Sequence, residues 1–153
     1  MGTLNAGDKA PTFALKDQSG KAVKMADFKG SKLLLYFYPK ANTPGCTKQA
    51  CNVRDALDDL RGQGVVAVGV SPDPPEKQAK FDAKHELGFP LLADEDNAVA
   101  KAYGAWGEKS MYGKTYEGII RSAFLIDEKG KVAHVWYKIS PAKTVPEVMK
   151  ALG

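Results

Sequence analysis

The stretch LLLYFYPKANTPGCTKQACNVRDALDDLRGQGVVAVGV, Leu33 to Val70, decides the fold. Leu33 to Tyr38 is an aromatic-rich apolar run, too short for a helix and ended by Pro39, so it reads as a buried strand. From about Pro44 to Leu60 the apolar residues Ala50, Val53, Leu57 and Leu60 recur at spacings of three and four. That spacing marks one face of a helix, which Gly62 and Gly64 close. Val65 to Val70 is a second buried strand.

The same alternation continues along the chain. Ser71 to Pro75 turns into a charged helix around Glu76 to Glu86 whose apolar contact centres on Phe81. FPLLAD, after Gly88, is a short strand, and a helix follows from Asn97 to Tyr103 with Asp96 or Asn97 as its N-cap. Two late strands, Arg121 to Ile126 and Val132 to Tyr137, are joined by Asp-Glu-Lys-Gly, with Gly130 where positive φ is needed. A last helix runs from about Val145 to Leu152. Parallel strands need crossovers and hairpins make antiparallel pairs, so this order predicts an α/β fold: a mixed central sheet with helices on both faces. A thioredoxin-like three-layer sandwich has that plan. Sites in such sheets lie beyond the carboxyl ends of strands, where the loop after LLLYFY carries Cys46.

The chain has 153 residues, 44% hydrophobic and 26% charged, which suits one domain over residues 1–153 and excludes disorder or a cysteine-dense scaffold. No repeat or linker divides it. LLLYFY falls far short of the roughly 20 apolar residues of a membrane span, and MGTLNAGDKAPTF has no signal core, so a soluble, cytoplasmic chain is expected. Met1-Gly2 begins like a myristoylation motif, but Ala6 stands where Ser or Thr is required. The net charge of +4 is dispersed, as in EKQAKFDAKHE, without the basic stripe that nucleic acid needs.

Two cysteines in such a chain seldom make a structural disulfide. Cys46 falls in the first turn of a helix that Thr43 can cap and Pro44 can open. The free N–H groups and the helix dipole there favour a thiolate, drawing the pKa below the free value of about 8.5. Cys51 lies five residues on, outside Cys-x-x-Cys spacing. In a regular helix the two Cα atoms would stand about 8.6 Å apart, beyond the ~4.4–6.8 Å of a disulfide. Cys51 is therefore either a packed helix residue or a partner that Cys46 meets only when the turn unwinds. His85 and His134 lack metal-ligand spacing, so no metal and no other cofactor is called for. Trp106 and Trp136 read as packing residues.

Pro39, Thr43 and Cys46 form Pro-x-x-x-Thr-x-x-Cys, and with FYPKANTPGCTKQAC, RSAFLID, APTFAL and FPLLAD the chain resembles a peroxiredoxin along nearly its whole length. The nearest likeness is to the bacterioferritin comigratory protein, or PrxQ, subgroup. The chain departs from it at Gln49, where Glu is common, and at Ala123, where Thr is common. The resemblance implies a peroxidase acting on hydrogen peroxide and alkyl hydroperoxides. It implies that Cys46 attacks, Thr43 and Arg121 orient the peroxide, Gly45 and Cys46 supply backbone N–H donors, and Pro39 shields the pocket. It further implies that Cys51 resolves the sulfenic acid as an intramolecular disulfide, that thioredoxin or a similar dithiol protein reduces it, and that the protein is a monomer. A redox sensor and a thiol-disulfide exchange protein are the alternative readings. The lack of a Gly-Gly pair and of a C-terminal Tyr-Phe resembles members that resist sulfinic acid formation. Stiffening the turn by Gly45→Ala is expected to slow disulfide formation more than sulfenic acid formation, which stopped-flow traces would separate.

Overall fold

A computed structural model describes residues 3–153; the Met1-Gly2 start lies outside them. The strands are β1 (Ala14–Lys16), β2 (Ala22–Lys24), β3 (Lys32–Phe37), β4 (Val65–Ser71), β5 (Leu91–Ala93), β6 (Trp106–Met111), β7 (Lys114–Ile119), β8 (Ser122–Ile126) and β9 (Val132–Trp136). The helices are α1 (Pro44–Asp55), α2 (Leu57–Gly62), α3 (Pro75–His85), α4 (Ala98–Ala102) and α5 (Thr144–Leu152). Among the described residues, a seven-stranded sheet runs in the order β2-β1-β5-β4-β3-β8-β9 and a separate two-stranded ribbon joins β6 to β7. β3, β4 and β5 are parallel, while β8 pairs antiparallel with β3 and β9 with β8. No helix among the described residues is long and apolar enough to cross a membrane.

The apolar run of β3 is explained by its central place, because a strand covered on both faces cannot afford an alternating pattern. Leu34, Tyr36 and Tyr38 pack on one face with Cys46, Ala50 and Val53 of α1, Leu57 and Leu60 of α2, Phe81 of α3 and Val148 of α5. Leu33, Leu35 and Phe37 pack on the other with Val99 and Ala100 of α4 and with Phe124. The mixed sheet flanked by helices is thus the one read from the sequence. Trp136 packs against the first cluster and Trp106 against the second.

Four local readings are revised. The helix expected from Pro44 to Leu60 breaks at Ala56 (φ −99°, ψ 0°), whose N–H is shared between Asn52 and Val53 carbonyls, and restarts as α2. Asn97, one of the two residues expected there, is the N-cap of α4, but by its backbone alone. Asn97 occupies the N-cap position in the left-handed region (φ 63°) without a side-chain cap, and Asp96 accepts only from Ala98. Asp94 instead accepts the N–H groups of Val99 (3.2 Å) and Ala100 (2.9 Å). Burial pushes its carboxyl pKa up and these bonds hold it down. The β6–β7 hairpin was not foreseen; its turn, Tyr112 and Gly113, has positive φ at both residues (52° and 78°), as a type I′ turn requires. The short edge strands β1 and β2 were also missed.

Asp94→Ala is expected to lower stability by about 1–2 kcal/mol, because two buried amides lose their acceptor. Asn97→Gly, which suits the positive φ, should stay within ~0.5 kcal/mol. Urea unfolding of the two variants checks the assignment.

Candidate active site

β3 delivers the reacting turn to the carboxyl edge of the sheet. The Tyr38 N–H still reaches Val70 O (3.0 Å), and half-buried Pro39 then has no N–H with which to continue the ladder. Buried Asp73 fixes the departing loop, accepting from the Ala41 N–H (2.6 Å) and the Ser71 hydroxyl (2.7 Å). Asn42 reverses the chain at φ 66°. The Thr43 hydroxyl donates to Lys40 O (2.8 Å).

Thr43 holds the N-cap position of α1 by its backbone (φ −89°, ψ 157°), but no helix N–H bonds to its side-chain oxygen, so the reading of a side-chain cap is corrected. The oxygen lone pairs remain free to accept. Pro44 opens α1 as expected, and the first helical bond recorded runs from Thr47 N–H to Thr43 O (2.8 Å). The N–H groups of Gly45 and Cys46 lie ahead of it, among the amides a helix start leaves without an intrahelical partner.

Cys46 is 1% exposed, and Arg121 donates from Nη2 to its Sγ at 3.4 Å across 75 residues of sequence. Arg121 directly precedes β8, which pairs along β3, so the sheet register carries the guanidinium to the thiol. Its Nη1 donates to Gln49 Oε1 (2.7 Å), and Gln49 Nε2 donates to Thr144 Oγ1 (2.8 Å). Cys51 lies half-buried on the same unbroken helix, packed against the core, and both cysteines are free thiols.

Three contributors escaped the sequence reading. Gln49 was noted only for its missing charge, although its i+3 spacing from Cys46 puts it on the same helix face. Nothing in the sequence marks Thr144. Nor does anything mark Lys109 of β6, whose ammonium feels the site: burial and then Arg121 lower its pKa, and Cys46 raises it. A pocket of about 190 Å³ lined by Met25, Phe28, Leu33 and Ile126 sits at the opposite end of β3, away from this chemistry.

The Arg121 guanidinium thus meets the buried Cys46 sulfur in the first turn of α1, directly after the loop that carries Thr43. The model of the AhpC/TSA family matches residues 6–135. Peroxiredoxin Bcp of Escherichia coli K12 is 54% identical over 136 residues, 89% of this chain and 87% of that one. The chain belongs to the AhpC/TSA family, among its Bcp/PrxQ peroxiredoxins. As a peroxiredoxin it is a thiol peroxidase. A putative peroxiredoxin of Mycobacterium tuberculosis is 50% identical over 150 residues, 98% of this chain and 96% of that one. The solved structure of Xanthomonas campestris bacterioferritin comigratory protein, a trapped intermediate/ligand complex bearing on its alkyl peroxide reduction, superposes with a TM-score of 0.89. It is 34% identical, with 97% of each chain covered.

The peroxiredoxin turn leaves little room at Gly45. A Cβ there would stand 3.3 Å from Arg121 Nη2 and 3.5 Å from Pro141 Cγ. Gly45→Ala therefore moves the guanidinium as well as stiffening the helix. The revised expectation is that both sulfenic acid and disulfide formation slow, the first by roughly tenfold as a charge-bearing donor is displaced. Stopped-flow traces with hydrogen peroxide read both steps.

Proposed function

We propose that Cys46 is the peroxidatic residue of this peroxidase, that it reduces hydrogen peroxide and alkyl hydroperoxides, and that Cys51 resolves the product. The observation that carries the reading is the 3.4 Å contact from Arg121 Nη2 to the buried Cys46 Sγ at the start of α1. Guanidinium and helix start both set positive charge beside the sulfur that acts as nucleophile. The alkyl substrates are supported by the activity described for the Xanthomonas relative.

Cys46 Sγ attacks one peroxide oxygen in line with the O–O bond. An S–O bond forms, the O–O bond breaks, and the leaving alkoxide or hydroxide takes a proton to give alcohol or water. Arg121 and the N–H groups of Gly45 and Cys46 stabilise charge moving onto oxygen. Thr43, its proton held by Lys40 O, accepts from the peroxide O–H. Half-buried Pro39 keeps bulk water from the sulfur. Cys51 then attacks the Cys46 sulfenic acid: the S–S bond forms, the S–O bond breaks, and hydroxide leaves with the Cys51 proton as water.

The cytoplasm, with thioredoxin or a similar dithiol protein as reductant, is the setting this chemistry fits. A monomer is supported by the surface: Tyr112 and Tyr116 are the large hydrophobics exposed among the described residues. With a dithiol protein as reductant, Cys46→Ser is expected to abolish peroxide consumption. Cys51→Ser should retain turnover with a small thiol. Arg121→Lys should lose roughly 10²-fold, since the planar fork that spans sulfur and Gln49 is gone. Peroxide consumption unchanged in Cys46→Ser would refute the assignment.

A further inference from the structure

The C-terminal helix packs on the core beside α1 and makes one buried polar bond to it, between Thr144 and Gln49. Arginine can only donate, so the Gln49 atom facing Arg121 is the carbonyl oxygen. Its NH2 group therefore faces Thr144, whose oxygen accepts it, and the Thr144 proton goes to Ser140 O (3.0 Å). Every proton in the chain Arg121, Gln49, Thr144, Ser140 is assigned by this one constraint. It also explains why an amide stands at position 49. A carboxylate there would present lone pairs to an oxygen whose proton is already engaged. Gln49 and Thr144 are both 0% exposed, so neither can turn to water instead.

Gln49 lies three residues after Cys46 and two before Cys51, inside the segment that must unwind before the two sulfurs meet. Unwinding withdraws Gln49 from both Arg121 and Thr144. The three-residue turn Pro141–Lys143, just before α5, reinforces the hold, with Pro141 packed close over Gly45.

We propose that Thr144 is a positioning residue which, through Gln49, holds the Cys46–Cys51 segment helical and so sets the rate at which the disulfide closes. The proposal rests on the assignment of Cys46 and Cys51 above. Thr144→Val keeps the shape and leaves the Gln49 NH2 buried without an acceptor in the folded turn alone, so the folded turn is the state that loses. Opening becomes easier, and less sulfenic acid remains exposed to a second peroxide.

The test pulses the reduced full chain with hydrogen peroxide, quenches with a thiol-alkylating reagent, and follows the sulfenic and disulfide forms by mass spectrometry. Thr144→Val is expected to close the disulfide ~10-fold faster than the parent. Thr144→Ser, which restores the acceptor, should return to within about twofold. Val68→Ala weakens the opposite face of the sheet and should also leave closure within about twofold, which separates this role from a general loss of stability. Closure at the parent rate in Thr144→Val, or equal acceleration in Val68→Ala, overturns the proposal while the peroxidase assignment stands. A parent chain that forms no sulfenic acid overturns both.

Discussion

A guanidinium placed 3.4 Å from a buried sulfur must be held from behind, or its long side chain swings to water. Much of the architecture around the site answers that constraint. β8 pairs with β3 from Leu33 to Phe37, so the backbone at Arg121 is fixed beside the loop that leaves the same strand. Ile139 N–H bonds to Arg121 O (3.0 Å), tying the following segment to that point. Gln49 then takes the second arm of the fork. The charge on Arg121 is undiluted there, because its partner is a neutral amide and not a carboxylate.

The same helix carries two opposed demands. On the proposed assignment its start holds Cys46 in place for attack, and its first turns open before Cys51 can reach that sulfur. Burial of Ala50 and Val53 on the sheet secures the middle of α1. Toward its start, polar bonds from Arg121 to the Cys46 sulfur and from Gln49 to Thr144 add to the burial of Cys46 itself. With the proposed reacting cysteine in the first turn, opening can be confined to the start of α1 while Val53 stays buried against the sheet.

How much of this could be read from the chain depended on how local each cause was. The run Leu33 to Tyr38 declared itself because both faces of a central strand are covered, and Pro44 and Cys46 marked a helix start by neighbouring residues alone. Readings failed where a competing partner lay nearby or far away. Thr43 looked like a side-chain cap, yet its oxygen accepts no N–H of α1 and its proton goes to Lys40 O. Asp94 sits outside α4 and still ends up as its acceptor, because β5 turns it back over the helix. Lys114 to Glu117 are exposed, and neither WGEKSM nor KTYEGI carries the apolar-polar alternation of a half-buried strand. The link from Gln49 to Thr144 spans 95 residues, and no pattern in the sequence connects them.

That span, with the 75 residues between Cys46 and Arg121, bears on the order in which the protein acquires its reactivity. α1 is built from local contacts and can form early, whereas the guanidinium arrives only after β8 has closed a long loop onto β3. The pairing of guanidinium with sulfur is therefore a property of the completed sheet and not of the helix that carries Cys46.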